Sequence, residues 1–339
     1  MCARRPLRNV VLVIEVSHLT KRFSRTTAVD DVSFRLESGR VTGFLGPNGA
    51  GKSTTMRMIL GLDRPTSGRA WVDGHPYAAL DAPLRSVGAM LDPRAIHPGR
   101  TARAHLRLIA DTHAIGRSRV EEVLELTGLT AVAGRRAGTF SLGMGQRLGI
   151  AAALLGDPEN VLLDEPVNGL DPEGVIWIRS LVRQMAAEGR VVLISSHLMS
   201  EVAQTADHLV VLGAGRVLAD GPLHEVISAT GAATVRIAST DLARLVGSLA
   251  AAGAVVTRPD PQHPDEHHVD VQGLDAEQVA RIAADQGVVL SELTTLERSL
   301  EDAYFSLTAA STEYRSALVP SGAAPAEPHH AAAQTQDHR

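Results

Sequence analysis

The sequence predicts an α/β protein whose main unit is a largely parallel sheet covered by helices, followed by a smaller α+β unit. Short apolar runs such as 160–163 and 191–195 alternate with helical stretches, as in parallel sheets with helical crossovers. A glycine-rich segment at 46–51 joins a strand to a helix. After about residue 230 the order becomes βαββαβ, which is typical of a ferredoxin-like sandwich.

The elements of the main unit follow from hydrophobic periodicity and turn residues. Gly128 is expected to end one helix and Pro172 to begin another, at the first helical position, where the N–H missing from proline is not needed. Strands are expected at 13–19, 27–36, 40–45, 160–163, 191–195, 208–212 and 216–219, and helices at 52–60, 101–114, 118–127, 146–155 and 172–187.

The C-terminal part is predicted by the same patterns. Strands are expected at 233–238, 254–258, 267–271 and 288–293, and helices at 240–252, 275–286 and 296–308. The tail is rich in Ala, Pro and His without periodicity, which predicts disorder. We therefore divide the chain into an N-terminal extension, a main domain, an accessory domain and a disordered tail, at 1–12, 13–228, 230–308 and 309–339.

Composition narrows the class of protein. The chain has 339 residues, 44% of them hydrophobic and 21% charged, as in soluble globular proteins. The net charge of −5 argues against a nucleic-acid binder. Cys2 is the sole cysteine, which excludes an internal disulfide and a cysteine-based metal site.

Neither a signal peptide nor a membrane span is expected. The apolar run 10–14 after Arg4 and Arg5 is ended by Glu15, whereas a signal peptide needs roughly 7–15 apolar residues. The longest uncharged stretch, 245–257, is shorter than the roughly 20 residues that cross a bilayer. Action at a membrane therefore requires a partner.

The strongest motif is Gly46-Pro47-Asn48-Gly49-Ala50-Gly51-Lys52-Ser53, which matches the G-x-x-x-x-G-K-[ST] phosphate loop between a strand and a helix. Glycines let backbone N–H groups surround a phosphate, and the helix N-terminus favours an anion. Lys52 can reach the β- and γ-phosphates, and the Ser53 hydroxyl is a suitable Mg²⁺ ligand. The alternative, a glycine-rich turn with an incidental lysine, does not explain the flanking strand and helix.

An acidic pair follows a buried strand. Asp164 and Glu165 come directly after 160–163, at the edge of the sheet where ligands of α/β proteins bind. Asp164 suits the outer shell of a Mg²⁺ ion, and Glu165 is placed to orient or deprotonate an attacking water. The alternative is a solvated acidic pair, which the phosphate loop makes less favoured.

A known family has these motifs in this order. The run 140–172, FSLGMGQRLGIAAALLGDPENVLLDEPVNGLDP, resembles the signature, Walker B and D-loop of ABC ATPases. Ile194-Ser195-Ser196-His197 resembles their switch-histidine segment, and Lys21-Arg22-Phe23 the segment whose aromatic ring stacks on adenine. The resemblance covers about residues 13–228 and implies a P-loop ATPase core with an antiparallel β subdomain and a helical subdomain at about 95–140.

The resemblance implies a role for each matching residue. Glu165 would be the catalytic base and His197 would contact the γ-phosphate, whereas Asp164 would hold Mg²⁺ through water. Phe23 would stack on the base of ATP, although a core aromatic is an alternative; for His197 a helix-capping or core role is the alternative. The phosphates and Mg²⁺ would be bound by Gly46, Asn48, Gly49, Ala50, Gly51, Lys52, Ser53 and Thr54.

The resemblance also implies a homodimer with two ATP molecules at its interface. The signature residues would complete the ATP site of the other subunit, and Asp171 of the D-loop would communicate between the two sites. The signature residues concerned are Ser141, Gly143 and Gln146.

Two positions depart from the family pattern. Asp92 stands where the family usually has glutamine, and a carboxylate accepts hydrogen bonds but does not donate them. Asp92 could still coordinate Mg²⁺ or a bound water. The signature reads Ser141-Leu142-Gly143-Met144 instead of Ser-Gly-Gly, which keeps the serine and one glycine.

Both departures and the C-terminal extension resemble ATPase subunits of daunorubicin- and bacitracin-resistance exporters. We therefore expect an ATPase that powers export of a drug or antibiotic-like molecule through separate integral-membrane permease subunits, from the cytoplasmic side and peripheral on the inner face of the cell membrane. Two alternatives stay open: a soluble ABC-type ATPase in translation or repair, and a nucleotide-binding regulator that does not hydrolyse ATP.

Overall fold

A computed structural model describes residues 13–229, 234–257, 268–296 and 299–308. The helices are α1 (Lys52–Ile59), α2 (Pro83–Ser86), α3 (Ala102–Thr112), α4 (Arg117–Leu126), α5 (Leu142–Leu154), α6 (Pro172–Ala187), α7 (Met199–Thr205), α8 (Leu223–Ala229), α9 (Leu242–Ala251), α10 (Ala276–Asp285) and α11 (Leu300–Thr308). The strands are β1 (Val13–Phe23), β2 (Thr26–Glu37), β3 (Val41–Leu45), β4 (Ser67–Val72), β5 (Val87–Met90), β6 (Asn160–Leu163), β7 (Val191–Ser196), β8 (His208–Gly213), β9 (Arg216–Pro222), β10 (Thr234–Ala238), β11 (Val255–Thr257), β12 (His268–Gln272) and β13 (Glu292–Leu296).

The largest sheet has the strand order β5-β6-β7-β3-β8-β9. The first five of these strands are parallel, and β9 is antiparallel to β8. Strands β3, β6 and β7 are buried along their whole length, as expected for a sheet covered on both faces. Parallel strands end at the same edge of a sheet, so the segments that follow β3, β5, β6 and β7 lie close together. The last residues of these strands are Leu45, Met90, Leu163 and Ser196.

A three-stranded antiparallel sheet, β2-β1-β4, packs against this main sheet. The two sheets share one apolar core, in which the rings of Phe34 and Phe44 lie 5.4 Å apart. This is the antiparallel β part that the sequence predicted.

Helices α3, α4 and α5 form the helical part. Leu106, Val120 and Leu148 are each fully buried in its core. The guanidinium of Arg147 on α5 lies 4.4 Å from the ring of Trp177 on α6, a cation–π distance that connects the helical part to the main sheet.

In the C-terminal part the four strands pair antiparallel in the order β11-β12-β10-β13. Helices α9 and α10 contribute Leu245 and Val279 to a core with Ile237 and Val271 of the sheet. The element order is the predicted βαββαβ. Assignment of this part to the ferredoxin-like class stays a prediction.

Several element boundaries were wrong. Strand β1 ends at Phe23 instead of 19, and β9 ends at Pro222 instead of 219. Strand β13 is Glu292–Leu296 instead of 288–293, so Leu296 ends a strand and does not begin the last helix. Helix α11 begins after Ser299, whose hydroxyl accepts from the Asp302 N–H while Asp302 accepts from the Ser299 N–H, a reciprocal cap that fixes the start of the helix. Helix α5 begins at Leu142 instead of 146 because Ser141 caps it.

The last helix packs against the main unit. Leu300 and Tyr304 of α11 are buried with Val202, Leu209 and Val226, which lie on α7, β8 and α8. The end of the predicted accessory domain thus contributes to the core of the main unit. The extension 1–12 and the tail 309–339 lie outside the described residues, and none of the helices in the described ranges is long and apolar enough to cross a membrane.

We expect Tyr304→Ala to lower the free energy of unfolding by roughly 3 kcal/mol, since removing a buried aromatic ring leaves a cavity. Tyr304 is 7% exposed, whereas its neighbour Phe305 is 58% exposed. Phe305→Ala, the matched control, should cost less than about 1 kcal/mol. Urea unfolding of both variants measures the difference; equal losses would contradict the packing of α11 on the main unit.

Candidate functional site

The carboxyl edge of the main sheet gathers the predicted chemistry. The phosphate loop follows β3, the acidic pair follows β6 and His197 follows β7. Asp92 comes two positions after the end of β5. The sheet topology therefore brings together segments that are far apart in the sequence.

The phosphate loop needs glycine at particular positions. Gly49 and Gly51 have φ angles of 84° and 101°, in the left-handed region where other residues are strained. A Cβ at Gly51 would also lie 2.5 Å from the Ala28 carbonyl oxygen, and one at Gly46 would lie 2.8 Å from the Leu212 carbonyl oxygen. The residue before α1 is Gly51, which has no side chain to accept hydrogen bonds from the start of the helix. The first N–H groups of α1 are therefore available to an anion.

Lys52 is 6% exposed and lies under this loop. Its Nζ donates to the Gly46 carbonyl at 2.6 Å and to the Pro47 carbonyl at 3.4 Å. Burial lowers the pKa of Lys52, and the negative charges of Glu165 and Asp164 oppose this shift. The buried ammonium is thus a positive charge held beside the two carboxylates.

The Glu165 carboxylate lies between the side chains of Lys52 and His197. Its Oε1 is 3.9 Å from Lys52 Nζ, and its Oε2 is 2.8 Å from His197 Nδ1. Its backbone has a φ angle of 49°, a conformation that costs a non-glycine residue about 1–3 kcal/mol unless its surroundings hold it.

Two buried side chains contact the backbone of Glu165. Its N–H donates to Ser195 Oγ at 2.9 Å, and its carbonyl accepts from Gln146 Nε2 at 2.9 Å. The Ser195 hydroxyl also donates to the carboxylate of Asp164, which is 7% exposed. Ser195 had no assigned role in the sequence; the available signal was a polar residue at the end of a buried, mostly apolar strand.

Gln146, the third of the signature residues, is buried. It is 1% exposed and donates to the Glu165 carbonyl of its own chain; its part in the ATP site of a second subunit stays a prediction. Its direction is set by α5, which turns residue 146 inward. Ser141 is exposed, caps α5 and accepts from the Met144 N–H at 3.2 Å.

Gly143 and Asp171 lie near the signature. A Cβ at Gly143 would be 2.9 Å from the Gly169 carbonyl oxygen, so the signature loop packs closely on the segment after the acidic pair. Asp171 caps α6 by accepting from the Gly174 N–H at 3.0 Å. Within the described ranges no hydrogen bond joins these residues to Lys52 or Glu165.

Phe23 and Asp92 are both exposed. Phe23, at the end of β1, is 47% exposed and stacks with Lys21, whose Nζ is 4.9 Å from the ring centre; the alternative of a core aromatic is therefore wrong. Asp92 accepts from the Arg94 N–H at 2.8 Å and closes a local turn. The Asp92 carboxylate therefore lies at the surface, beside the edge of the sheet, and is hydrogen-bonded to the backbone.

In the described part of the chain no group of three or more His, Cys, Asp or Glu is arranged to hold a metal. The oxygen donors of Ser53 and Asp164 suit Mg²⁺, which is commonly bound by one or two protein groups together with substrate phosphates. These residues fit a Mg²⁺ ion that binds together with a nucleotide.

Comparison with known families identifies two regions. A family described as ABC transporter matches residues 29–168, which contain the phosphate loop, the signature and the acidic pair. A second family, described as a domain of unknown function, matches residues 233–301.

Individual proteins similar to this chain are ATP-binding subunits of transporters. The bacitracin transport ATP-binding protein BcrA of Bacillus licheniformis is 40% identical over 213 residues, covering 62% of this chain and 70% of the relative. The lantibiotic transport ATP-binding protein SrtF of Streptococcus pyogenes is 33% identical over 206 residues, covering 61% and 89%. A solved dimeric bacterial ABC transporter cassette, MJ0796, superposes with a TM-score of 0.58 at 25% identity, covering 62% of this chain and 98% of that one. The chain belongs to the ABC transporter family, as an ATP-binding subunit with an ABC ATPase cassette.

Proposed function

We propose that this chain hydrolyses ATP to power export of an antibiotic-like small molecule or peptide through a separate permease. The observation that supports it most is the placement of the Glu165 carboxylate between Lys52 and His197. That arrangement combines a base with two groups that can stabilise phosphate charge, as phosphoryl transfer to water requires.

The proposed roles follow from these positions. Lys52 and the loop N–H groups bind the β- and γ-phosphates, and Glu165 orients and deprotonates the attacking water. His197 contacts the γ-phosphate from the other side of Glu165. Phe23, exposed at the end of β1, stacks on the adenine.

Mg²⁺ is proposed to bind with ATP. Ser53 would ligate it directly and Asp164 through water, because the Asp164 carboxylate already accepts from Ser195. Asp92 is a further candidate for a water-mediated contact, since its position after β5 places it at the same edge of the sheet. The ion would neutralise charge on the phosphate oxygens.

Two copies are proposed to close on two ATP molecules. Ser141 and Leu142 are exposed at the start of α5, Leu142 at 48%, so they are available to a second subunit. The similar cassette MJ0796 was solved as a dimer, which supports this arrangement. Asp171 would lie between the two sites.

The transport role is supported by the relatives and by one groove. BcrA and SrtF are transport ATP-binding proteins for bacitracin and a lantibiotic, so a soluble role in translation or repair is not favoured. A groove between the sheet edge and the helical part is lined by Pro93, Arg94, Ile96, Pro98, Phe140 and Leu148. We propose that the permease docks there and holds the chain on the inner face of the membrane.

The test is recruitment to membranes. Co-expressed with its permease, the chain should sediment with membranes, and Ile96→Glu should abolish this because it places a charge in an apolar contact. Val289→Glu, at a site 83% exposed in the C-terminal part, is the control and should be recruited normally. Retention of Ile96→Glu on membranes with bound permease would exclude this groove as the docking site.

A further inference from the structure

We infer that Gln146 and Ser195 are positioning residues that together fix the peptide groups on both sides of Glu165. This inference rests on the proposed role of Glu165 as the catalytic base. It extends that role to two side chains whose hydrogen bonds in the described structure go to the backbone of Glu165 and to the carboxylate of the adjacent Asp164. It also assigns to Gln146 a function within its own subunit.

The two contacts restrain Glu165 from opposite sides. Ser195, on β7, accepts the N–H of Glu165, and Gln146, on α5, donates to its carbonyl, each at 2.9 Å. Ser195 is fully buried and Gln146 is 1% exposed, so water does not compete for either bond. Glu165 has a φ angle of 49°, which is unfavourable for a non-glycine residue. Such a conformation persists only when several contacts hold it in place.

The direction of the carboxylate depends on this backbone. The backbone conformation at Glu165 sets the direction of its Cα–Cβ bond and therefore the positions of Oε1 and Oε2. Those oxygens lie 3.9 Å from Lys52 Nζ and 2.8 Å from His197 Nδ1. A displacement of about 1 Å of a reacting group is enough to lower a rate by about 10²-fold.

The bond from Gln146 also connects two parts of the molecule. Helix α5 is capped by the exposed Ser141 and belongs to the helical part, whereas Glu165 follows a strand of the main sheet. The same helix therefore carries the signature at its N-terminus and, through its buried side, holds the backbone of Glu165. A shift of α5 relative to the sheet would lengthen this bond directly.

Gln146→Met tests the inference most directly. Methionine keeps the length of the side chain but cannot donate, so the carbonyl of Glu165 loses its partner. Among the described residues Gln146 Oε1 has no hydrogen-bond partner. Methionine removes this buried, unpaired oxygen, which is itself unfavourable, so the variant should still fold. We expect kcat for ATP to fall about tenfold or more, with the Kd for a fluorescent ATP analogue and the thermal midpoint nearly unchanged.

Ser195→Ala and Ser195→Thr provide the second comparison. Alanine removes the hydroxyl and should lower kcat by a similar factor, whereas threonine keeps it and should restore much of the activity. Ser239→Ala is the matched control: Ser239 is 2% exposed, donates to the Val289 carbonyl and accepts from the Asp241 N–H, but lies in the C-terminal part. It should leave kcat unchanged.

A double-mutant cycle with Glu165→Gln separates this inference from the proposed role of Glu165. If the two residues act only through Glu165, Gln146→Met should have little further effect in the Glu165→Gln background. Full activity of Gln146→Met, or losses that add fully in the double variant, would overturn the positioning role. Full activity of Glu165→Gln alone would instead refute the proposed base.

Discussion

Replacing Glu165 with glutamine should lower ATP turnover by roughly 10²–10⁴, the usual contribution of a positioned base, while ATP binding is retained. Glutamine has nearly the same shape, but its neutral amide cannot accept a proton from water. The contacts that we propose for phosphate binding lie in the loop and on Lys52, whose Nζ donates to the Gly46 carbonyl, so this variant should leave them in place. Phosphate release measures turnover, and a fluorescent ATP analogue measures binding.

Glu125→Gln is the control for this variant. Glu125 is an exposed residue of α4, where loss of a charge should change neither quantity. If Glu165→Gln turned over ATP at the rate of the unmodified chain, another group would have to activate the water. A parallel loss of binding would show that the carboxylate also organises the nucleotide pocket.

Replacing Lys52 with methionine should weaken ATP binding by about 10- to 100-fold. Hydrogen bonds to charged groups contribute about 1.5–3 kcal/mol, and each 1.4 kcal/mol corresponds to a factor of ten in affinity. Methionine retains the apolar stem in its buried position but carries no charge to the phosphates. It also leaves the Glu165 carboxylate without its neighbour at 3.9 Å.

Arg57→Ala is the control for Lys52. Arg57 lies on the same helix but is paired with Asp63 at 2.7 Å on the surface. Its loss should leave the affinity for ATP unchanged when both variants are measured by equilibrium titration. An unchanged affinity of Lys52→Met would show that the backbone N–H groups of the loop suffice for binding.

The central site could be predicted because its residues are fixed by local sequence. The loop at 46–53, the acidic pair and His197 each come directly after a buried strand. Because these strands are parallel, the sheet places the three segments at one edge. The direction of Gln146 could not be predicted, since it depends on how α5 packs against the sheet. Likewise, the apolar run at 288–290 suggested a strand, but Val289 is 83% exposed and pairing with β10 begins at Glu292.

The packing of α11 has a consequence for the order in which the chain is made. Leu45 at the end of β3 shares an apolar cluster with Leu300 and Tyr304 of α11, so the first and last parts of the described chain meet. Synthesis proceeds from the N-terminus at about 5–20 residues per second, and this cluster stays uncovered until α11 has left the ribosome. Translation that stopped anywhere between 230 and 299 would release a cassette with an open apolar face, a target for chaperones and proteases.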